Sequence, residues 1–258
     1  VLTLNEEEFL PKCLESLAWA AETLVVDAGS TDSTLAIAKQ HGARIIATQW
    51  EGFPKQRNRG AREARGEWLL YVDADERVSK DLREEIRELL KKGDPEHNSF
   101  RIPHRNIILG RWLKHGGWYP EYQHRLIKKS SLKGWVGELH EHPEVEGPVG
   151  MLNGDLIHLT HRGMQWMLEK TIRYTRLESE LRMKAAHPKV GVRHLFSAPV
   201  REFWFRCIKK SGWRDGVIGW IEILYQAFNQ FLIMARLWEM QREKSMGKTY
   251  GDYDAEID

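Results

Sequence analysis

Cysteine is almost missing from these 258 residues: Cys13 and Cys207 are the only two, far apart and each inside an apolar-periodic segment. That excludes a disulfide framework and supports two buried free thiols in a reducing compartment. An excess of charge of one sign is missing too. The 39 Lys and Arg against 37 Asp and Glu leave a formal +2, so composition gives no reason to invoke a nucleic-acid partner. Internal repeats and low-complexity tracts are absent, which excludes solenoids. Val1-Leu2-Thr3-Leu4 is too short for the apolar core of a signal peptide and runs straight into acidic residues, so it reads as the remainder of a first strand. The long apolar stretch Val217 to Met240 is interrupted by Glu222, Gln226, Asn229 and Gln230, which favours a helix lying in or on a membrane interface over one that crosses it.

What is present is an alternation of short apolar runs and amphipathic segments from Val1 to about Glu76, the rhythm of βαβ units in a parallel sheet covered by helices. Strands are expected at Val1 to Leu4, Thr23 to Asp27, Arg44 to Thr48 and Glu67 to Asp73. Leu10, Cys13, Leu14 and Leu17 form the stripe of a first helix, with Glu6, Glu7 and Glu8 at its start. A second helix is expected from about Thr31, capped by Ser30 or Thr31 and stopped at Gly42, and a third opens at Ser79. From Asn98 to about Thr160 short strands and turns indicate a mixed or antiparallel extension of the sheet. After Gly163 the chain turns helical, with Met164, Met167, Leu168, Ile172, Thr175 and Leu181 as the inward face of the first segment. The expected division is therefore a catalytic domain over 1–162, in halves of about 1–95 and 96–162, and a helical region over 163–258.

Two strand ends carry chemistry. Asp73-Ala74-Asp75-Glu76 follows the buried run Trp68 to Val72, at the carboxyl end where open α/β sheets bind ligands. Two carboxylates so placed suit a hard cation, Mg²⁺ or Mn²⁺, which would neutralise a diphosphate leaving group. Asp27-Ala28-Gly29-Ser30-Thr31-Asp32 ends another strand; Asp27 suits a base or ribose, and Gly29 permits close approach of the backbone. Each motif alone is also compatible with a capped turn.

Together with Thr3-Leu4-Asn5-Glu6, and in the same order and spacing, these motifs resemble glycosyltransferase family 2. Lys55-Gln56-Arg57-Asn58-Arg59-Gly60 and Leu139-His140-Glu141 are similar to its branch of lipopolysaccharide-core β-glucosyltransferases. The resemblance implies an α/β fold of the GT-A, Rossmann-like kind, a mostly parallel central sheet flanked by helices with a C-terminal helical extension. It implies a UDP-sugar donor, a divalent cation, and a hydroxyl acceptor on a lipid-linked or lipopolysaccharide molecule of the cell envelope. By resemblance, Thr3, Asn5 and Glu6 lie near the nucleobase, Asp27 and Gly29 at base or ribose, and Asp73, Ala74 and Asp75 at ribose and metal, with Asp73 and Asp75 the metal ligands. Lys55, Arg57 and Asn58 flank the nucleotide pocket. Lys55 and Arg57 suit diphosphate or, alternatively, are solvated charges on a helix face. Arg125 is placed at phosphate or sugar, with an ion pair inside the sheet as the other reading.

Inversion at the anomeric carbon requires a general base, and Glu141 is the candidate, with Glu138 second. His104, His115, His124, His158 and His161 lack the tight spacing of a structural zinc site. Eleven tryptophans, several beside Lys and Arg in Phe203 to Trp220, suit the surface of a membrane, which would put the protein in the cytoplasm at the inner face of the cytoplasmic membrane; packing on the catalytic domain or a homo-oligomer contact would use the same residues. Two other classes remain: a polyprenyl-phosphate glycosyltransferase and a non-catalytic nucleotide-binding scaffold. A haloacid-dehalogenase phosphatase is disfavoured because Glu76-Arg77-Val78 lacks its pattern.

Overall fold

In the computed structural model, which describes residues 1–93, 96–137 and 141–246, the four early strands form at Leu2–Thr3 (β1), Leu24–Asp27 (β2), Arg44–Ala47 (β3) and Trp68–Leu70 (β4). Between them run Leu10–Leu17 (α1), Thr34–Gln40 (α2) and Phe53–Glu63 (α3); Glu76–Val78 (β5) and Lys80–Lys91 (α4) follow. The next stretch is mostly strand: Ser99–Ile108 (β6), Arg111–Trp112 (β7), Glu121–Lys128 (β8), Leu132–Val136 (β9), His142–Val145 (β10), Val149–Met151 (β11) and Leu156–Thr160 (β12). Three helices come last, Met164–Lys184 (α5), Val192–Trp204 (α6) and Gly216–Met246 (α7). The described chain divides into two compact units, one of residues 1–112 with 118–160, the other of 113–117 with the segment from His161 onward.

In the first unit, β1 pairs in parallel with β2, and β2 with β3. A parallel bridge from Leu2 to Asp73 sets the end of the β4 segment along the other side of β1. Beyond β4 the sheet continues in the order β8, β6, β12, β5. Here β6 pairs in parallel with β12 and β11, whereas β5, β7 and β8 run antiparallel to their neighbours. This places Asp27 and Asp73 at the ends of strands on either side of β1, the geometry that makes an open sheet a binding surface.

The helices are positioned by burial. All four residues of the α1 stripe, Leu10, Cys13, Leu14 and Leu17, are buried, each leucine contributing about 1.5–3 kcal/mol. They meet Val72 and Leu126 on one side and Val25 and Ala74 on the other, which fixes α1 beneath the aspartate loop. The Ser79 hydroxyl accepts from the Leu82 amide at 3.1 Å and caps α4, as the sequence indicates. Two capping expectations fail. The acids after Asn5 precede α1, which opens at Leu10 with proline in its first turn. Helix α2 starts at Thr34, and it is Asp32 that accepts from the Thr34 amide, because Ser30 and Thr31 are engaged by Asp27 and Asn5. Both cysteines are buried free thiols.

In the second unit the α5 face is the expected one only at Met167 and Thr175. Met167, Thr171, Thr175 and Ser179 are buried, while Met164, Leu168 and Ile172 are exposed. The hydroxyls are satisfied locally: Ser179 Oγ donates to Ile233 O at 3.1 Å, and Thr171 Oγ1 lies 2.7 Å from Tyr225 Oη and 2.9 Å from Asn229 Oδ1. Glu222 is likewise buried, with His161 Nδ1 at 2.6 Å.

Candidate active site

The turn after β2 is organised by its own aspartate. Asp27 accepts from Thr3 Oγ1 at 3.0 Å, from the Gly29 and Ser30 amides at 2.9 Å each, and from the Ser30 hydroxyl. With both oxygens engaged in a buried position, Asp27 shapes the loop and presents Thr3 and the Gly29–Thr31 backbone. Gly29 is required by its φ of +100°; no atom lies within 4 Å of where a Cβ would stand, so conformation and not crowding selects glycine. Asn5 closes the same loop, accepting from the Thr31 amide at 2.8 Å while its own amide donates to Ser30 Oγ at 2.8 Å. The Glu6 amide donates to Thr34 Oγ1 at 2.8 Å. The residues expected around the base thus converge at one rim.

The second strand end is an ion-pair cluster. Arg57, reaching in from α3, puts Nη2 at 3.1 Å from both oxygens of Asp73; Arg125 of β8 puts Nη2 at 2.9 Å from Asp73 Oδ2 and 2.6 Å from Glu76 Oε1. Glu76 Oε2 accepts from the Asp73 amide at 2.7 Å. Burial works against ionisation of Asp73, but the two guanidinium groups outweigh it and hold the carboxyl well below the usual carboxylate range. For Glu76 burial wins, with Asp73 adding to it, and the carboxyl is pushed up. Burial and Arg125 push His104 far down, so the neutral imidazole faces Glu76 at 3.3 Å.

Of the two aspartates expected at a metal, Asp73 is the poorer ligand, because a cation there would meet two guanidinium charges at once. Asp75 faces His158, whose Nε2 lies 3.7 Å from Asp75 Oδ2. Ala74 between them is buried in the apolar cluster under the loop and turns the two carboxylates to different neighbours. Glu141, just before β10, approaches the cluster with Oε1 at 3.5 Å from Arg57 Nη2. Glu138, the second candidate base, lies outside the described residues, as do Leu139 and His140.

The α3 candidates separate. Arg57 is buried, its guanidinium 4.8 Å above the Trp135 ring, whereas Lys55 points to solvent and pairs with Glu51 at 3.2 Å. Asn58 grips β9 by a double hydrogen bond, accepting from the Trp135 amide at 2.7 Å and donating to its carbonyl at 3.0 Å. Its place is in fastening β9 to α3, away from the carboxylates. An apolar cavity of about 610 Å³, lined by Trp19, Leu24, Trp68 and Leu70 near the starts of β2 and β4, excludes Asp27, Asp75 and Glu141. The sequence reading missed Glu76 and His104 as partners in the cluster; buried charge beside two arginines has no signature in local spacing.

Residues 1–142 match the family described as glycosyl transferase family 2. The lipopolysaccharide core biosynthesis glycosyltransferase LpsC of Rhizobium meliloti is 30% identical across 95% of this chain and 93% of its own length. An uncharacterized glycosyltransferase of Rickettsia felis is 38% identical, over 33% of this chain and 31% of that protein. Among solved structures, S. aureus TarS in complex with UDP-GlcNAc aligns over 96% of this chain and 91% of its own, with a TM-score of 0.46 and 15% identity. Glucosyl-3-phosphoglycerate synthase from Mycobacterium tuberculosis in complex with Mn²⁺ and UDP-glucose aligns over 74% and 79%, with a TM-score of 0.47 and 15% identity.

Proposed function

The chain belongs to glycosyl transferase family 2, a glycosyltransferase with the GT-A fold, and we propose that it moves a hexosyl group, glucose foremost, from a UDP-sugar to a hydroxyl of a lipid-linked or lipopolysaccharide-core acceptor with inversion. The observation that carries this proposal is the placement of Asp27 and Asp73 at strand ends on either side of β1, with Glu141 touching the Arg57 that also holds Asp73. The acceptor class rests on the likeness to LpsC along nearly the whole chain.

In this reading the Asp27 loop receives the base and ribose through Thr3, Asn5, Glu6 and the amides around Gly29. Arg57 and Arg125 supply positive charge beneath the ribose and diphosphate. Glu141 takes the proton from the acceptor hydroxyl as its oxygen attacks the anomeric carbon, and the diphosphate leaves from the opposite face. Asp75, with His158 beside it, fits a divalent cation, Mg²⁺ or Mn²⁺, which when bound neutralises charge on the departing diphosphate.

The second unit suits a peripheral contact with an anionic bilayer at the cytoplasmic face of the inner membrane. Val192, Phe196, Val200, Trp204 and Ile208, four residues apart along α6 and the π-helical turn that follows, are all more than half exposed. Exposed Arg193, Arg201, Lys209 and Lys210 accompany them, the pairing of apolar side chains and cations that a lipid headgroup region attracts.

The test is transfer from radiolabelled UDP-, GDP-, ADP- and CMP-sugars, with Mg²⁺ or Mn²⁺, onto deacylated lipopolysaccharide core, intact lipid-linked core and polyprenyl phosphate. Transfer to a core acceptor from one UDP-sugar is the expected result. Product on polyprenyl phosphate alone would reassign the acceptor, and nucleotide binding without hydrolysis or transfer to anything would point to a scaffold.

A further inference from the structure

Helix α7 carries a stripe that its own unit leaves uncovered. Every exposed residue from Gly216 to Trp238 is apolar: Val217, Trp220, Leu224, Phe228, Phe231 and Trp238. The only charged residue between Gly216 and Ala235 is Glu222, which is turned inward to His161. On the far side of the helix Gly219, Ile233 and Leu237 are buried within the unit.

The spacing of the stripe points to its partner. With the half-buried Ala235, its members follow one another in steps of three and four residues that average 3.5, the repeat of a coiled-coil seam. On an α-helix these positions share a face about 80° wide and about 32 Å long, narrower than the face of a helix packed on a globular core and suited to a single partner helix. At about 100 Å² left uncovered on each, the six exposed side chains would bury about 1,200 Å² in a pair of copies, which enters the range of specific, stable interfaces.

We infer that α7 packs against α7 of a second copy of this chain in an antiparallel, two-fold symmetric seam. Side-chain size and charge set the direction. In the antiparallel register centred beside Phe228, Val217 meets the partner's Trp238, Trp220 meets the partner's Ala235, and Leu224 meets the partner's Phe231, a larger residue against a smaller one at each level. A parallel seam would set Trp220 against Trp220 and Trp238 against Trp238, overpacking those levels. Antiparallel pairing also brings the exposed Arg214 level with the partner's Glu239 and Glu243, whereas parallel pairing would gather like charges at each end. The seam uses none of the α6 side chains offered to lipid and stands whatever sugar is transferred.

Light scattering coupled to size-exclusion chromatography, run on the full chain in buffer without lipid, reads the assembly directly. The expected mass at micromolar concentration is twice the 30.2 kDa of one chain. Leu224→Lys and Phe231→Glu should each weaken the dimer at least about 100-fold, because either puts an unpaired charge into the seam twice. Mixed in equal amounts, the two variants should recover a dimer, since the introduced lysine of one chain then faces the introduced glutamate of the other across an otherwise native seam. A wild-type chain that stays monomeric overturns the inference, and if Leu224→Lys then loses binding to phosphatidylglycerol vesicles, the stripe belongs to lipid. A wild-type dimer that survives both variants overturns it too, as do folded variants that stay monomeric when mixed. Phe228→Cys, next to the two-fold axis, needs no buried charge: a short bis-maleimide should link two copies, and an unlinked product overturns the seam.

Discussion

Arg57→Met tests the ion-pair cluster most directly. The arginine side chain is 3% exposed and holds both oxygens of Asp73, while Glu141 lies within reach of the same nitrogen. Removing one partner of a buried pair costs about 3–5 kcal/mol. Here Asp73 keeps Arg125, and with 27% of its side chain exposed, water takes up part of the orphaned charge, so the low end applies. Loss of the stack on Trp135 adds about 0.5–2 kcal/mol, for a total near 3.5–5 kcal/mol. For a unit of this size that lowers the melting temperature by roughly 7–20 °C. Arg57→Lys keeps the charge but not the planar fork, and should fall between the two.

The pH dependence has a definite sign. Against the opposing effect of burial, the arginines depress the folded-state value of Asp73, so the stability they provide is present above the ordinary aspartate value of 3.8 and drains away as pH falls toward the depressed one. Arg57→Met shrinks that depression. The gap between variant and wild type should therefore be full near neutrality and close as the solution is acidified below about pH 4. Thermal unfolding followed by circular dichroism across this range checks it, with the transition of the first unit as the one that moves. A melting temperature within 2 °C of wild type at about pH 7, or a gap that widens in acid, would refute the account of the cluster.

Three further outcomes follow from the same geometry. Glu141→Gln should lower kcat by roughly 10²–10⁴ with little change in donor KM or melting temperature, in steady-state transfer assays; a stable variant with full kcat would remove Glu141 as base. Burial raises the folded-state value of Glu76, so its contribution to stability is greatest below the ordinary glutamate value and declines as pH rises through the raised one; Glu76→Gln should flatten that decline in urea titrations run at several pH values. Replacing Phe196, Val200 and Ile208 together by serine should abolish cosedimentation with phosphatidylglycerol vesicles while leaving transfer to a soluble core fragment unchanged; undiminished sedimentation would exclude α6 as the lipid contact.

The strand ends were legible because a buried apolar run followed by a polar loop is a local pattern, and so were the α1 stripe and the Ser79 cap. What eluded local reading depended on partners chosen by the fold. Lys55 and Arg57 look equivalent as a basic pair, yet residues two apart on a helix stand about 200° apart, so when Arg57 turns in under Trp135, Lys55 must turn out. Asn58, one step farther on, is claimed by the backbone of β9. Counting histidine spacings could not single out His158, because its neighbours Asp75 and Asn106 come from other segments and reach it through two strand pairings.

Helix α5 misled for a different reason: its apolar residues divide, Met167 turning inward while Met164, Leu168 and Ile172 stay exposed. A periodic stripe records which side chains share a face, and says nothing about whether protein or lipid covers it. On α5 the exposed Met164, Leu168 and Ile172 run alongside a buried row of Met167, Thr171, Thr175 and Ser179, and on α7 the polar residues Glu222 and Asn229, which break the apolar run, are turned to His161 and Thr171. In water the apolar side chains left exposed on these helices are penalised by the hydrophobic effect at roughly 25 cal/mol for each Å² uncovered. Against a bilayer that penalty disappears. The unit keeps an apolar core of Val190, Ala198, Ile233, Met234 and Leu237, so it is the additional apolar rows left exposed on α5 and α6 that favour the proposed lipid contact.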